Sequence, residues 1–195
     1  MNDKLSGDRI EIAVIELQLR FYRQGKLSRK YPVALGKEQT PTPVGEWRII
    51  KKGLDWGGGF GPRWLGLNVP WGIYGIHGTN APESIGTRVS HGCIRLFNQD
   101  ILELYELTEL DTPVHILGPL PGLPASDGLF RRYAGKEYVT LQFALRKAGF
   151  DPGEADGRFG PRTRAALQTY QFSAGLEPTG EITPRELQLL GLVQQ

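Results

Sequence analysis

The chain has 195 residues, enough for one large domain or two small ones. Its composition, with 39% hydrophobic and 23% charged residues, is typical of a globular protein and excludes a largely disordered chain. The net charge of +2 gives no broad basic field, which argues against nucleic acid as a partner. The single cysteine excludes an internal disulfide framework, and no apolar run is long enough to span a membrane.

The first part of the chain is predicted to form short β-strands. Residues 9–21 alternate apolar and polar side chains and predict one strand, which a turn at 24–26 returns as a hairpin through 31–36. Residues 40–45 carry two prolines and cannot lie in a central strand, and a further strand is expected over 46–51. Short strands separated by glycine and proline favour a curved β-sheet or a sandwich.

Residues 53–72 combine many glycines with the aromatic side chains of Trp56, Phe60, Trp64 and Trp71. One interpretation is an irregular loop whose rings close the edge of the core, and we favour it for Trp71. The other is a wall of a substrate cleft, in which flexible glycines allow a lid and the rings cover a glycan or peptide. For Trp64 the two interpretations are equally supported.

A helix and a final strand are expected to complete this domain. Asn98 is predicted to be the N-cap, with Asp100 in the first turn. The expected apolar face of the helix holds Leu102, Tyr105 and Leu110. The last strand is predicted over 112–117, so the first domain is assigned to residues 9–118.

The rest of the chain predicts a linker and a small helical domain. Residues 119–136 are rich in proline and glycine, and beyond them the hydrophobic period changes from 2 to 3.6. Three helices are therefore predicted within 137–192. The residues expected on their apolar faces are Leu141, Leu145 and Ala148, then Ala165, Leu167 and Tyr170. Thr183–Glu186 has the pattern of a capping box, with Gly191 as the stop.

The segment 76–100 contains the reactive side chains. It holds Cys93, the histidines His77 and His91, and an arginine, Arg95, two residues beyond the cysteine. A thiol nucleophile needs a base and backbone N–H donors for the oxyanion that it creates. Glycine beside each reactive residue lets the backbone turn its amides toward a substrate. The segment thus supplies a nucleophile, two candidate bases, donors and a cation.

The residues alone leave several alternatives open. A lone cysteine is often an inert buried side chain, but the flanking residues favour a nucleophile for Cys93. A neighbouring imidazolium, and Arg95 if it points inward, is expected to lower the pKa of this thiol. On an extended strand His91 would share a face with the cysteine, so spacing does not decide between the histidines. Ser90 either orients a ring, which we favour, or completes a turn. Thr79 either contacts substrate or has a structural role.

The blocks His77–Gly78–Thr79 and Ser90–Leu96 (SHGCIRL) resemble the signature of the YkuD-type L,D-transpeptidases, which cross-link bacterial peptidoglycan. The motif joins two separated blocks and is specific, and the resemblance covers most of residues 10–118. It implies a cysteine acyltransferase that releases D-alanine from a tetrapeptide stem, forms a thioester and links third stem residues. It also implies that carbapenems acylate the cysteine.

The resemblance also suggests roles for individual residues. It implies that His77 is the base and that His91 shapes the oxyanion pocket with the backbone of Gly92 and Cys93. The predicted catalytic residues are Cys93, His77, His91, Gly92 and Ser90. The predicted substrate-binding residues are Arg95, Gly78, Thr79 and Trp64. No metal and no cofactor are predicted.

Three other functions compete with this one. Water in place of the acceptor amine would give an L,D-carboxypeptidase with the same nucleophile. Two histidines and a cysteine could bind zinc in a metal hydrolase, although a water-activating carboxylate is missing from the motif. The third is a non-catalytic wall-binding or spore structural protein.

The C-terminal segments LQFALRKAGF, DGRFGPRTRAAL and YQFSAGLEPTG resemble the three-helix peptidoglycan-binding module found beside many wall enzymes. This resemblance implies peptidoglycan stem peptides and glycan as partners, and the cell envelope or spore wall as the location. The first 14 residues lack the pattern of a signal peptide. The expected fold class is α+β, a β-rich YkuD-like domain with a short helix followed by a small all-α domain, and the expected oligomeric state is a monomer.

Overall fold

The computed structural model describes residues 7–55, 57–120, 123 and 134–192. The chain forms two compact units, Met1–Gly118 and Pro119–Gln195. Most of the predicted linker, 119–136, and Trp56 lie outside the described residues. The domain bounds assigned from the sequence stay predictions. None of the helices in the described ranges has the length and hydrophobicity of a membrane-spanning segment.

The first unit is built on a curled β-sheet. Its strands are β1 (Arg9–Ala13), β2 (Gln18–Arg23), β3 (Lys26–Pro32), β4 (Leu35–Gly36), β5 (Gly45–Leu54), β6 (Arg63–Leu67), β7 (Tyr74–His77), β8 (Arg88–Ser90), β9 (Ile94–Arg95) and β10 (Pro113–Leu117). Eight of them form one sheet in the order β3-β2-β1-β10-β5-β6-β7-β9, while β4 pairs with β8. The inward side chains of the central strands, including Ile12, Phe21, Trp47 and Ile76, are buried and form the core.

The single strand predicted over residues 9–21 is wrong. The chain turns at residues 14–17, with Leu17 at φ 52°, and β1 and β2 pair as an antiparallel hairpin. The apolar–polar alternation continues through the turn, so the sequence pattern does not indicate it. Ile15, which lies in the turn, is apolar but 74% exposed. The hairpin predicted at residues 24–26 and the strand after the proline segment are both present, as β2–β3 and β5.

The segment 53–72 is more ordered than the predicted loop. Strand β6 lies within it and pairs with both β5 and β7. Trp71 packs edge-on against Trp47 with ring centroids 5.4 Å apart, as expected for a residue that closes the core.

Helix α1 (Asn98–Leu107) differs from the prediction in its cap and its face. The N-cap residue is Phe97, so Asn98 is the first helical residue, with Asp100 in the first turn as predicted. Its buried residues are Ile101 and Leu104, whereas the predicted Leu102 and Leu110 are exposed. Apolar residues lie on two adjacent faces of this helix, and the face of Ile101 and Leu104 is the one that packs against the core.

The second unit contains helices α2 (Lys136–Lys147), α3 (Pro161–Ser173) and α4 (Pro184–Leu189). The capping box at Thr183 is confirmed, since the Thr183 N–H donates to Glu186 Oε2 at 2.8 Å. Two predicted core residues, Ala148 and Ala165, are exposed instead. The buried cluster consists of Tyr138, Leu141, Leu145, Ala166, Leu167 and Tyr170.

Two buried glutamines reveal an internal repeat that the sequence analysis missed. Gln142 Nε2 donates to the Asp156 carboxylate, the Arg158 carbonyl and the Thr163 hydroxyl, and its Oε1 accepts from the Gly157 N–H. On the next helix, Gln171 Nε2 donates to the groups at the corresponding positions, which are the Thr179 hydroxyl, the Glu181 carbonyl and the Glu186 carboxylate. Its Oε1 accepts from the Gly180 N–H. The segments DGRFGPRT and TGEITPRE therefore form equivalent loop-to-helix junctions, each closed by one glutamine.

Candidate active site

His77 lies at the end of β7 in a pocket of aromatic rings. Its side chain is buried, and the Trp64 ring stacks on the imidazole with centroids 5.5 Å apart and planes at 18°. The register explains this contact, because Trp64 on β6 is the direct partner of His77 on β7. Phe60 covers another side of the imidazole edge-on at 4.9 Å.

The orientation of the His77 ring is fixed by the backbone. Nδ1 lies 2.5 Å from the Gly78 carbonyl oxygen. A carbonyl only accepts hydrogen bonds, so Nδ1 carries the proton and Nε2 keeps its lone pair. The pKa of His77 is lowered to about 4, mainly by burial and also by the Arg95 charge, while hydrogen bonds to the Gly78 and Phe60 backbone act to raise it. At neutral pH the ring is therefore uncharged and able to accept a proton at Nε2.

Cys93 follows a tight turn that Ser90 closes. The buried Ser90 hydroxyl donates to the Cys93 carbonyl at 2.6 Å and accepts from the Gly92 N–H at 3.0 Å. Gly92 has φ 114°, and a Cβ on it would lie 2.6 Å from the Tyr74 ring. Only glycine combines that backbone conformation with such a close approach.

The segment that follows β4 supports this turn through hydrogen bonds to Ser90. The Lys37 N–H and the Thr40 hydroxyl both donate to the Ser90 carbonyl, each at 3.1 Å. The Gly36 N–H in turn donates to the Thr42 hydroxyl at 2.9 Å. The sequence analysis missed Thr40 as a supporting residue, because no local pattern indicates a bond to Ser90, 50 residues away.

Strand pairing brings the thiol beside the base strand. Strands β7 and β9 are parallel, with Ile76 opposite Ile94 and His77 opposite Arg95, so Cys93 lies next to Gly75. Burial raises the pKa of the Cys93 thiol, while the Gly75 N–H and the Arg95 charge lower it. The expectation of a depressed thiol pKa is therefore wrong, because the half-buried position outweighs both favourable groups and His77 is neutral.

Arg95 influences both reactive groups. Its charge lowers the pKa of His77 and of Cys93, as expected for a cation near each of them. Its Nε atom is buried and has no hydrogen-bond partner among the described residues. A buried donor without a partner is costly, so this guanidinium is suited to receive an acceptor from a bound ligand.

Several predicted site residues have other positions than expected. His91 is exposed, and since Gly92 breaks the extended conformation, the shared-face argument for His91 and Cys93 fails. Ser90 completes the turn rather than orienting a ring. The Gly92 N–H is already bonded to Ser90 Oγ and is not available for an oxyanion, whereas the Cys93 N–H takes no part in the bonds that close the turn.

The residues predicted to bind substrate are mostly internal. Trp64 is 2% exposed and lies behind His77, so it is not a cleft wall. Thr79 is buried and its hydroxyl accepts from the Ala81 N–H at 3.0 Å, which is a structural role. Gly78 is buried too and acts through its carbonyl on His77. Of the four, Arg95 alone keeps a donor suited to a ligand.

A metal site is not found in the part of the chain that the structure describes. None of its His, Cys, Asp and Glu side chains form a group of three or more that could hold an ion. Cys93 instead lies beside Gly75 of β7, the strand that ends at the neutral, backbone-oriented imidazole of His77. A thiol and a base are the two groups needed for nucleophilic attack on a carbonyl.

Comparison with known proteins agrees with this geometry. Residues 7–116 match the family model of the L,D-transpeptidase catalytic domain, and residues 134–190 match that of a peptidoglycan-binding domain. YkuD of Bacillus licheniformis, an L,D-transpeptidase by name, is 45% identical over 108 residues, covering 55% of this chain and 64% of that protein. YkuD of Bacillus subtilis is 42% identical over 107 residues with the same two shares. The chain thus matches just under two thirds of the length of each relative.

Solved structures share the fold of the first unit. The NMR structure of the catalytic domain of the Enterococcus faecium L,D-transpeptidase is 25% identical, with a TM-score of 0.51, and the match covers 57% of this chain and 98% of that one. The avibactam carbamoyl enzyme of Ldtfm is 28% identical, with a TM-score of 0.52, and the match covers 57% of this chain and 49% of that one. These matches confirm the predicted fold class.

Proposed function

This chain belongs to the L,D-transpeptidase catalytic-domain family, and from that premise we propose that it cross-links peptidoglycan stem peptides by acyl transfer through Cys93. The observation that carries the proposal is that the parallel pairing of β7 and β9 places Cys93 and His77 in the same part of the sheet. Cys93 precedes β9 beside Gly75, and the imidazole of His77, two residues further along β7, is held by the Gly78 carbonyl at 2.5 Å.

The first step transfers the acyl group to the enzyme. The Cys93 sulfur attacks the carbonyl of the third stem residue of a tetrapeptide, and His77 Nε2 takes the thiol proton as the S–C bond forms. Proton removal must accompany attack, because burial raises the pKa of the thiol and the thiolate is scarce at neutral pH. The protonated His77 then gives its proton to the departing nitrogen of D-alanine as the C–N bond breaks. A thioester remains.

The second step transfers the acyl group to an acceptor. The amine of a neighbouring stem attacks the thioester, His77 takes a proton from that amine, and the S–C bond breaks. The Cys93 N–H is the donor that we assign to the oxyanion in both steps, since the Gly92 N–H is bonded to Ser90. Arg95, whose Nε has no hydrogen-bond partner within the described part of the chain, is the residue that we assign to a stem carboxylate.

The second unit supports a location at the wall. Residues 134–190 match a peptidoglycan-binding domain, so we propose that this unit holds the enzyme on its polymeric substrate. Peptidoglycan stem peptides and glycan are then the partners, and the cell envelope or spore wall is the location. A second binding unit raises the effective concentration of the substrate around the catalytic domain.

Incubation with disaccharide-tetrapeptide followed by mass spectrometry tests the activity. Wild type, Cys93→Ala and the near-isosteric Cys93→Ser are compared, with binding to sacculi measured for all three. A cross-linked dimer with loss of D-alanine from wild type alone supports transpeptidation. Tripeptide without dimer makes the protein an L,D-carboxypeptidase. Sacculus binding with no product from any of the three makes it a non-catalytic wall protein.

Covalent inhibitors provide an independent test of the nucleophile. A solved relative is an avibactam carbamoyl enzyme, and we propose that carbapenems likewise acylate Cys93. Wild type is expected to gain the mass of one imipenem, while Cys93→Ala gains none. An adduct on both proteins would place the reactive group elsewhere.

A further inference from the structure

The side chain of Asn98 connects helix α1 to the loop after the base. Asn98 is the first residue of α1, and its Oδ1 accepts a hydrogen bond from the Thr79 N–H at 2.9 Å. The atom facing that N–H must be the oxygen, because the amide nitrogen would bring two donors together. The bond spans 19 residues of sequence and makes no contribution to capping the helix.

The Asn98 amide also lies against two glycines, Gly78 next to His77 in the chain and Gly61 next to Phe60. A Cβ on Gly78 would collide with Asn98 Oδ1, and a Cβ on Gly61 would approach it to 2.5 Å. Gly78 supplies the carbonyl that orients His77, and Gly61 follows the turn whose Phe60 ring covers the imidazole. One amide therefore contacts both backbone segments that set the position of the base.

We propose that Asn98 is a positioning residue for His77, acting through the Thr79 N–H and the backbone of Gly78. This inference rests on the proposed function, in which His77 moves the proton. The peptide group that joins Gly78 to Thr79 makes two hydrogen bonds. Its carbonyl accepts from the His77 imidazole, and its N–H donates to Asn98 Oδ1. Without Asn98 the Thr79 N–H loses its acceptor, the 78–79 backbone can rotate, and Nε2 no longer has a fixed direction.

The energetic consequence falls on the chemical step rather than on binding. A catalytic group displaced by about 1 Å can lower the rate about a hundredfold, whereas contacts between substrate and enzyme elsewhere stay the same. Asn98 is exposed on the helix surface, so its replacement leaves the buried core intact. An aspartate at the same position keeps an acceptor oxygen and is favourable in the first turn of a helix.

The experiment compares Asn98→Ala, Asn98→Asp and a neighbour on the same turn, Gln99→Ala. The limiting rate and half-saturating concentration of imipenem acylation are measured by mass spectrometry, and thermal melting checks folding. Asn98→Ala is expected to lower the limiting rate roughly 10- to 100-fold at an unchanged half-saturating concentration. Asn98→Asp and Gln99→Ala are expected to stay within about threefold of wild type. Wild-type rates in Asn98→Ala, or equal losses in the alanine and aspartate variants, would overturn the proposal.

A second readout separates this inference from the proposed function. The Nδ1 proton of His77 is followed by imidazole ¹H–¹⁵N NMR, which needs no substrate. In wild type, Asn98→Asp and Gln99→Ala this proton is expected to be protected from exchange by the Gly78 carbonyl. In Asn98→Ala it should exchange at least tenfold faster. If wild type is not acylated, the proposed function fails, and the NMR comparison alone decides whether Asn98 positions His77.

Discussion

The hydroxyl of Ser90 lies 3.0 Å from the nitrogen of Gly92, and it accepts that N–H while donating to the Cys93 carbonyl. A single buried side chain thus satisfies two backbone groups of the turn that carries the nucleophile. Its own carbonyl is held in turn by Lys37 and Thr40. Four hydrogen bonds, two at the Ser90 hydroxyl and two at its carbonyl, therefore hold the turn that carries the thiol.

Ser90→Ala is expected to destabilise the protein and slow acylation of Cys93. The substitution leaves one buried donor and one acceptor without partners, at a cost of about 1–3 kcal/mol in the free energy of unfolding. Acylation should slow at least tenfold as the turn relaxes. Urea unfolding and imipenem mass spectrometry measure the two effects.

Ser84→Ala is the matched control for that substitution. The Ser84 hydroxyl also donates to a carbonyl within a local turn, that of Ala81, at 2.7 Å, but it does not bond to the nucleophile turn. This variant should keep the wild-type acylation rate. Equal slowing in both variants would mean that loss of any turn in this unit impairs the site, and that Ser90 has no particular role.

The thiol of Cys93 is expected to titrate above its ordinary range. Burial raises its pKa, so the rate of alkylation by iodoacetamide should keep rising about tenfold per pH unit beyond pH 8.5. Arg95→Gln removes a charge that lowers this pKa, so alkylation at pH 8 should slow. Arg95→Lys keeps the charge and should react close to wild type. A plateau in the wild-type rate below pH 8 would contradict the prediction.

The lowered pKa of His77 predicts that the folded protein becomes less stable in acid. Its pKa is lowered to about 4 in the folded protein, against 6.5 when exposed, so the unfolded chain binds more protons between these values. The free energy of unfolding should therefore fall as the pH falls from about 6.5 to 4, by about 3 kcal/mol from this residue.

His77→Asn is the control for this dependence, because asparagine does not titrate. Urea unfolding at a series of pH values should show a smaller loss of stability for the variant over the same range. Parallel curves for the two proteins would show that carboxylates account for the acid sensitivity and that the pKa of His77 is ordinary.

The sequence motif indicated where the candidate site lies but not which residues support it. Cys93 and His77 belong to a specific motif, and the structure places Cys93, which precedes β9, beside Gly75 of β7, the strand that ends at His77. The exposure of His91 was not predictable in the same way, because it depends on the positive φ of Gly92. Thr40 and Asn98 were missed as supporting residues since each bonds to a partner 50 or 19 residues away.

The fold likewise has features that local sequence patterns did not predict. Strand β1 pairs with β10 in parallel, joining the two ends of the first unit, and no local pattern indicates that partner. The face of α1 was misassigned because apolar residues at 101, 102, 104 and 105 fit two faces equally well. The capping box at Thr183 was predicted correctly because all of its residues lie within one helical turn.

The two equivalent glutamines of the second unit allow one stability prediction to be tested at two positions. Gln142 and Gln171 are both buried and each makes four hydrogen bonds at a loop-to-helix junction. Replacing either by alanine leaves several buried polar groups unpaired, so each variant should lose about 2–4 kcal/mol in the free energy of unfolding of this unit. Gln188→Ala, at an exposed position of α4, should change it by less than about 0.5 kcal/mol. Urea unfolding followed by tyrosine fluorescence and circular dichroism measures all three. A large loss in one glutamine variant with none in the other would show that the two junctions are alike in geometry but unequal in stability, and the proposed equivalence would be wrong.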